Sequence, residues 1–178
     1  MEGIMLDIET MGTRPSSAIL SIGAVEFNET KISNPFSARI SLQSCLDAGL
    51  TMDASTINWW MEQSAEARNK LLEANAMPLA EALLALNAAF LWKDKLVWCN
   101  GLNFDLPILE HAYYVTNKHV PWKYYNGRDY RTIKGLFPKE LVRSLEVKPV
   151  VAHDALEDAV AQAKTLQALW RVWANGHP

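Results

Sequence analysis

Residues 3–42 read GIMLDIETMGTRPSSAILSIGAVEFNETKISNPFSARISL and contain three apolar runs separated by turn residues. Residues 3–8 and 18–28 are typical of strands, with residues 12–17 as the turn between them, and residues 31–42 alternate well enough for a third strand. Pro35 has no backbone N–H, so it places part of the third run at a sheet edge or a bulge. The chain is therefore predicted to open with an antiparallel three-strand meander.

The remainder of the chain is mainly helical. Its patterns predict helices that begin at Asp53, near Ser64 and at Pro78, a buried strand over 95–100, and helices over 106–116 and 155–174. Residues 118–150 have the weakest pattern, with a short helix predicted only at RTIKGLF. Together these elements predict one α/β domain over residues 1–178, a mixed sheet with flanking helices.

The composition fits a soluble protein in a reducing compartment. The 178 residues, 49% of them hydrophobic, suffice for a well-buried core. No run approaches the roughly 18 apolar residues of a membrane span, and the N-terminus lacks the basic region of a signal peptide. Cys45 and Cys99 have no CxxC spacing, which favours buried thiols over a disulfide or a zinc site. We therefore expect a cytoplasmic protein with no membrane partner.

Charge is distributed unevenly along the chain. The net charge of −3 argues against a protein that coats nucleic acid generically. Residues 1–91 carry 5 Lys and Arg against 11 Asp and Glu, whereas residues 92–148 carry 10 against 6. A polyanion is one candidate partner for this basic middle segment, and a solvated surface explains its charges at least as well.

Asp7 and Glu9 lie two residues apart on the first predicted strand. Both side chains therefore project from one face, with Cα atoms about 6–7 Å apart. Two ionised carboxylates in an apolar strand repel each other and lose hydration, a cost that a bound cation removes. The alternative is a strand end where polar residues meet solvent.

Asp105 follows the predicted strand over 95–100 and its Asn-Gly turn. This position suits the N-cap of a helix that starts near Leu106, which would by itself explain an aspartate there. Ligands in α/β folds also gather beyond the carboxyl ends of strands, where Asp105 would lie.

The segment HDALED is the most discriminating one. Asp154 as N-cap and Glu157 as the third helical residue form an Asp version of the capping box. His153 then precedes the cap and Asp158 is the fourth helical residue, the two positions that a hydrophobic staple brings into contact. The structural alternative is a lone loop histidine and an aspartate favoured by the helix dipole.

If these five residues converge, four carboxylates and one imidazole form a site for two divalent metals and a general base. Such a site holds its ions about 3.5–4 Å apart. Oxygen ligands select Mg²⁺ or Mn²⁺, and a histidine can accept the proton of an attacking water. The set therefore indicates phosphodiester hydrolysis.

At these residues the chain resembles the DEDDh group of 3′-5′ exonucleases, a branch of the ribonuclease H-like superfamily that includes ribonuclease T and the proofreading subunit of bacterial replicative polymerase. The matching segments are, in order, DIETMG, NGLNFDLPIL and HDALEDAVAQA. Three others, SIGAVEF, INWWMEQ and GRDYRTI, look most like phage and prophage exonucleases of the DexA type and related small bacterial exoribonucleases. The resemblance implies a ribonuclease H-like fold and two Mg²⁺ or Mn²⁺ ions held by Asp7, Glu9, Asp105 and Asp158, with His153 as general base.

The resemblance further implies that the backbone of Thr10, Met11 and Gly12 receives the terminal nucleotide. Gly12 also makes sense by itself, because a residue without Cβ permits close approach of a ligand. Of Trp59 and Trp60, which would point about 100° apart on a helix, one is expected in the core and the other at the wall of the nucleotide pocket. The sequence does not say which.

Four more residues are candidates for binding nucleic acid. Phe104, with Asn103 nearby, could stack on the penultimate base, and a core aromatic fits equally well. Arg128 and Arg131 could hold a phosphate, or could pair with Asp129 or Glu140.

The expected activity is release of 5′-mononucleotides from single-stranded DNA or RNA 3′ ends. A catalytically silent nucleic-acid-binding module and an endonuclease of the wider superfamily are the alternatives. Dimerisation is common in the group, and seven tryptophans in 178 residues are compatible with a homodimer interface.

Overall fold

The computed structural model of this chain describes residues 2–72 and 75–176, without the side chains of residues 70–72. Its opening meander consists of β1 (Gly3–Thr10), β2 (Ile19–Phe27) and β3 (Ile32–Arg39), which pair antiparallel as predicted. Pro35 lies in the edge strand β3, next to a register shift between Ala24 and Glu26 of β2. The sequence prediction of an edge position or a bulge is therefore correct on both counts.

Two short parallel strands complete the sheet. Strand β4 (Val97–Cys99) pairs with β1, and β5 (Gly127–Asp129) pairs with β4, which gives the order β3-β2-β1-β4-β5. The mixed sheet was predicted, whereas β5 falls in the segment whose pattern predicted loops. A three-residue strand is too short to produce a recognisable alternation.

Eight helices are described: α1 (Leu42–Asp47), α2 (Ala54–Glu62), α3 (Ala65–Leu72), α4 (Leu79–Ala89), α5 (Asp105–Val115), α6 (Tyr130–Gly135), α7 (Lys139–Leu145) and α8 (Ala155–Ala174). Helix α8 matches its predicted bounds. The third predicted strand extended too far, because Ser41 caps α1 by accepting a hydrogen bond from the N–H of Ser44. Helix α7 was not predicted.

Alternation along β1 places the two faces of the sheet in different surroundings. Ile4, Leu6 and Ile8 belong to the larger core cluster, which includes residues of α4 and α5. Met5 belongs to a second cluster with Ala159 and other residues of α8. Because side chains alternate along a strand, Asp7 and Glu9 share the face of Met5 and project toward α8.

The first turn of α8 lies directly on β2. Gly23 pairs with Asp7 across the sheet, and a Cβ on Gly23 would lie 2.1 Å from the carbonyl carbon of Ala155. Only glycine permits this approach. The close contact brings the start of α8 over the strand end that carries the acidic pair.

Both cysteines are free and buried, as expected. Within the described parts of the chain, no helix combines the length and apolar character needed to cross a membrane.

Candidate metal centre and nucleotide pocket

Three carboxylates meet at the carboxyl end of β1. Asp7, Glu9 and Asp158 each offer one oxygen, and these atoms lie within 4.8 Å of one another. Strand β1 supplies the first two from its α8 face, and the first turn of α8 supplies the third. Residues separated by about 150 positions thus form one all-oxygen donor set.

Asp105 lies beside this cluster, but not as the helix cap that its position suggested. It is the first residue of α5, Phe104 occupies the N-cap position, and no side-chain cap bond forms. Instead, Asp105 Oδ1 accepts the N–H of Ile8 at 3.3 Å. Pairing of β1 with β4 covers only Ile4 and Met5, so the N–H of Ile8 lies beyond the ladder and takes the carboxylate as its partner.

The start of α8 has the predicted cap. Asp154 accepts hydrogen bonds from the N–H groups of Leu156 and Glu157, both at 3.2 Å. His153, in the left-handed region at φ 62°, precedes it and contacts Asp158 through a hydrogen bond from its backbone. The two staple positions are therefore in contact through the histidine backbone, and the charge of the imidazole also acts on Asp158, against the desolvation that raises its pKa.

The His153 imidazole faces the cluster and is held by aromatic rings. Its Nδ1 lies 3.9 Å from Glu9 Oε1, and its side chain is 36% exposed. The ring centroids of Trp59 and Trp60 lie 4.9 and 5.9 Å from that of the imidazole, in edge-to-face geometry. The imidazole is thus oriented by packing while it remains open to solvent.

Burial makes ionisation of these acids costly. Desolvation, followed by the charges of Asp105 and Glu9, raises the pKa of Asp7 well above its ordinary value. Desolvation and the charge of Asp158 raise the pKa of Glu9 to about 8. Desolvation also raises the pKa of Asp105 to about 7 and that of Asp158 above its ordinary value. A cation bound among the carboxylates would offset both the desolvation and the repulsion.

Gln162 is a component of the site that sequence reasoning missed. Its Nε2 donates to Asp7 Oδ1 at 2.8 Å, whereas its buried Oε1 has no hydrogen-bond partner among the described residues. Gln162 follows Asp158 by four residues on α8, so the two side chains share one helix face. This spacing was the available signal.

A cavity of about 340 Å³ adjoins the acidic cluster at Glu9. Aromatic rings of Trp59, Trp60 and Phe104 line it together with Thr10 and Gly12. Trp60 is 3% exposed and donates its Nε1–H to the carbonyl of Thr10 at 2.9 Å, whereas Trp59 is 41% exposed. Trp60 is therefore the core residue of the pair, and Trp59 is the exposed pocket wall.

The backbone after the acidic pair is fixed by neighbouring residues. The N–H of Met11 donates to the carbonyl of Ala18, and its own carbonyl accepts the N–H of Asp53. A Cβ on Gly12 would lie 2.5 Å from Ser17 Oγ and 3.1 Å from Asp53 Oδ2, so the side chain of Ser17 would have to move to admit another residue. Asp53 stands at the N-cap position of α2 without the expected side-chain cap bond. Its Oδ2 accepts the N–H of Thr13 instead, at 3.5 Å.

The remaining candidates differ in their distance from the acids. Arg131 donates to the carbonyl of Asn100 at 2.9 Å, and its charge lowers the pKa of Asp105, so it lies near the cluster. Arg128 donates to the carbonyls of Tyr125 and Gly127, away from the nucleotide pocket. Asn103 is exposed and does not line that pocket.

Asp129 was one of the two suggested partners of these arginines. Its carboxylate caps α6 instead, accepting the backbone N–H groups of Arg131 and Thr132.

Comparisons with known proteins agree on one group. A family model described as the Rv2179c-like 3′-5′ exoribonuclease domain matches residues 2–170. The exodeoxyribonuclease of Enterobacteria phage T4 is 28% identical, over 89% of this chain and 84% of the relative.

Solved structures share the fold. The nuclease domain of 3′hExo, described as a DEDDh family member bound to rAMP, gives a TM-score of 0.61 at 12% identity and covers 97% of this chain and 92% of that one. Apo exonuclease I gives 0.63 at 14% identity over 94% of this chain, but only 41% of exonuclease I is matched. This chain therefore spans about two fifths of that protein. The ribonuclease H-like fold and the resemblance to DEDDh exonucleases, both predicted from the sequence, are confirmed.

Proposed function

The chain belongs to the Rv2179c-like 3′-5′ exoribonuclease domain family, and from this we propose a two-metal-dependent 3′-5′ exonuclease that releases 5′-mononucleotides from single-stranded ends. The observation that carries the proposal is the convergence of Asp7, Glu9 and Asp158 beside the imidazole of His153. We further propose that residues 1–178 act as one exonuclease domain.

The donor set fits Mg²⁺ or Mn²⁺. Asp7, Glu9 and Asp158 would hold the ions, with Asp105 next to them, and carboxylate oxygens are the ligands these hard cations prefer. The two ions, when bound, activate a water and stabilise the leaving oxygen. The pKa values of Glu9 and Asp105 are raised, and a nearby cation would stabilise the ionised form of both carboxylates.

His153 would take the proton of the attacking water. Its Nδ1 lies 3.9 Å from Glu9 Oε1, so the imidazole is next to the acids that would hold the metal ions and the attacking water. The rings of Trp59 and Trp60 keep the imidazole in place beside the acids. Trp59 and Phe104 offer apolar rings to the base of the terminal nucleotide, in a cavity large enough for a small ligand.

The comparisons do not distinguish between DNA and RNA as the substrate. The family description refers to RNA, whereas the phage T4 relative is called an exodeoxyribonuclease. We propose a single-stranded 3′ end as the substrate in either case. A homodimer and a cytoplasmic location stay predictions of the sequence.

The test is Mg²⁺-dependent shortening of a 5′-labelled single-stranded oligonucleotide, made in matched DNA and RNA forms. Asp7→Asn and His153→Ala should each lower the rate at least about 100-fold with the fold intact by circular dichroism, because each removes a group that acts directly on the reaction. His119→Ala is the matched control, since His119 is exposed and outside the pocket.

Equal rates in wild type and both site variants would contradict the assignment. Cleavage of a circular single strand would instead indicate an endonuclease. Binding of the oligonucleotide with no product in either Mg²⁺ or Mn²⁺ would indicate a silent binding module.

A further inference from the structure

A second groove leaves the acidic cluster at Asp158, whereas the nucleotide pocket adjoins it at Glu9. We propose that this groove binds the single-stranded substrate on the 5′ side of the scissile bond, with cations for the phosphates and tryptophans for the bases. The inference rests on the proposed exonuclease function, because that function places the 3′-terminal nucleotide in the nucleotide pocket.

The groove consists of three adjoining cavities of about 190, 330 and 230 Å³. The first contacts the cluster through Asp158 and Gln162 and shares Lys134 and Glu146 with the second. The second and third share Phe137. The first two cavities therefore adjoin beside α6, and the third meets the second at Phe137, against the last turns of α8.

The first two cavities together carry an excess of positive charge, which is concentrated in the second. They are lined by Lys148, Lys134, Arg131, Lys139 and Arg143. Apart from Asp158 at the start, Glu146 is the sole acid among their described lining residues, and it already pairs with Lys134 at 3.5 Å and Lys148 at 2.6 Å. Lys139 and Arg143, four residues apart on α7, are exposed and form no ion pair within the described residues. All five cations belong to residues 92–148, the basic middle segment of the sequence.

Aromatic side chains line the far end of the groove. Trp173 is 58% exposed and packs edge-to-face on Phe137, with Trp170 and Leu136 beside it. Exposed indole rings are stacking surfaces for unpaired bases, and they tolerate any base sequence. Trp173, Trp170 and Leu136 therefore present an exposed apolar surface at the end of α8.

The arrangement of cations and aromatic rings in the groove indicates which ligand it binds. A single strand presents both phosphates and flat apolar bases, and it must continue away from the scissile bond. The first cavity opens onto Asp158, and the second cavity, which adjoins it at Lys134 and Glu146, is cationic. A strand held at the acidic cluster therefore enters the groove without leaving the protein surface, which favours nucleic acid over a second copy of the chain or an acidic peptide.

Fluorescence anisotropy of labelled single strands of 2 to 16 nucleotides in EDTA measures this binding without hydrolysis. The double variant Lys139→Gln/Arg143→Gln should raise the Kd of a 12-mer at least about ten-fold, and the effect should grow with strand length. It should also reduce the slope of log K against log salt by about 0.7 for each cation removed.

The matched control is Lys93→Gln/Lys118→Gln, which removes the same charge from the same middle segment but outside all three cavities. It should bind the 12-mer within two-fold of wild type. Trp173→Ala tests the stacking end and should raise the Kd of the 16-mer about ten-fold without changing the salt slope.

An unchanged 12-mer affinity and salt slope in the Lys139/Arg143 variant, with native thermal unfolding, would overturn the proposal. The proposal would also be overturned if this variant bound the 12-mer like wild type but had half the wild-type molar mass by light scattering. That result would show that the groove is an interface between two copies of the chain. Hydrolysis of a dinucleotide by wild type in Mg²⁺ is scored separately. Absence of dinucleotide hydrolysis together with absence of 12-mer shortening would refute the exonuclease function, whereas the anisotropy would still decide whether the groove binds a strand.

Discussion

At the scale of single residues, the acidic cluster depends on side chains that orient its carboxylates. Asp7 receives a hydrogen bond from Gln162, and Asp105 receives one from the backbone of Ile8. While Gln162 makes this bond, its buried Oε1 has no hydrogen-bond partner in the part of the chain that the structure describes. An unsatisfied buried oxygen costs about 1–3 kcal/mol. Such a cost is typical of a side chain that serves a site rather than the stability of the fold.

Gln162→Leu should therefore weaken Mn²⁺ binding about 10- to 100-fold, because the orienting hydrogen bond on Asp7 is lost. The variant should lose little stability, since leucine also removes the unpartnered oxygen. Calorimetric titration with Mn²⁺ and thermal unfolding of the same samples measure the two effects.

Gln167→Leu is the control for this prediction. Gln167 is buried on the same helix and donates to the carbonyls of Asn28 and Lys31, so its loss should lower stability and leave the Mn²⁺ affinity within two-fold. Wild-type Mn²⁺ affinity in Gln162→Leu would refute the orienting role.

At the scale of elements, the contact between α8 and β2 positions Asp158 and His153 next to the acidic pair of β1. The first turn of α8 carries Asp158, and the residue before its cap is His153. Gly23 of β2 lies against the backbone of Ala155 at the start of this turn. The absence of a side chain on β2 thus determines how close the third carboxylate and the imidazole come to the acidic pair of β1.

Gly23→Ala should displace the first turn of α8, because the new Cβ would lie 2.1 Å from the carbonyl carbon of Ala155 and 2.2 Å from the nitrogen of Leu156. Overpacking against rigid backbone costs about 1–3 kcal/mol or more. A misplacement of about 1 Å in a catalytic site costs about 100-fold in rate. Thermal unfolding and dinucleotide hydrolysis should both show the loss.

Gly135→Ala provides the comparison, since a Cβ there would meet no atom of the described residues within 4 Å. It should unfold at nearly the wild-type temperature. A Gly23→Ala protein with wild-type stability and hydrolysis would show that α8 tolerates the shift. Gly23 would then not be required to position the site.

At the scale of the whole molecule, the acidic cluster links folding to pH and to metal. The folded-state pKa of Glu9 is about 8 against an ordinary value of 4.5, and that of Asp105 is about 7 against 3.8. The folded protein therefore binds more protons than the unfolded chain between these limits. Stability is greatest below the ordinary values and falls as pH rises through the folded-state values.

The metal-free protein should unfold at a lower temperature at pH 8.5 than at pH 5.5, by on the order of 5 °C or more. Mn²⁺ should raise the unfolding temperature strongly at pH 8.5 and little at pH 5.5, because it binds ionised carboxylates of the native state. Scanning calorimetry in EDTA and in Mn²⁺ at both pH values measures this.

Asp7→Asn removes one of the repelling carboxylates and should flatten the pH dependence of the metal-free protein. If wild-type stability in EDTA rose between pH 5.5 and 8.5, the account of the buried acids would be wrong.

Local sequence patterns were sufficient to predict the elements whose signals are strong. Alternation predicted the meander, Pro35 marked the edge strand, and Asp154 marked the start of α8. Those features depend on neighbours within a few residues, which a sequence displays directly. The spacing of Asp7 and Glu9 on one strand face, and the three motif segments, were enough to predict the exonuclease family.

Contacts between distant segments could not be predicted from local pattern. In the folded chain, Asp105 accepts the N–H of Ile8 instead of capping α5, and Gln162 donates to Asp7. Trp60 lies in the core, where it donates to the carbonyl of Thr10, and Trp59 lies at the pocket wall. Each of these contacts joins residues at least 50 positions apart. Their partners depend on the packing of helices on the sheet, which local pattern does not contain.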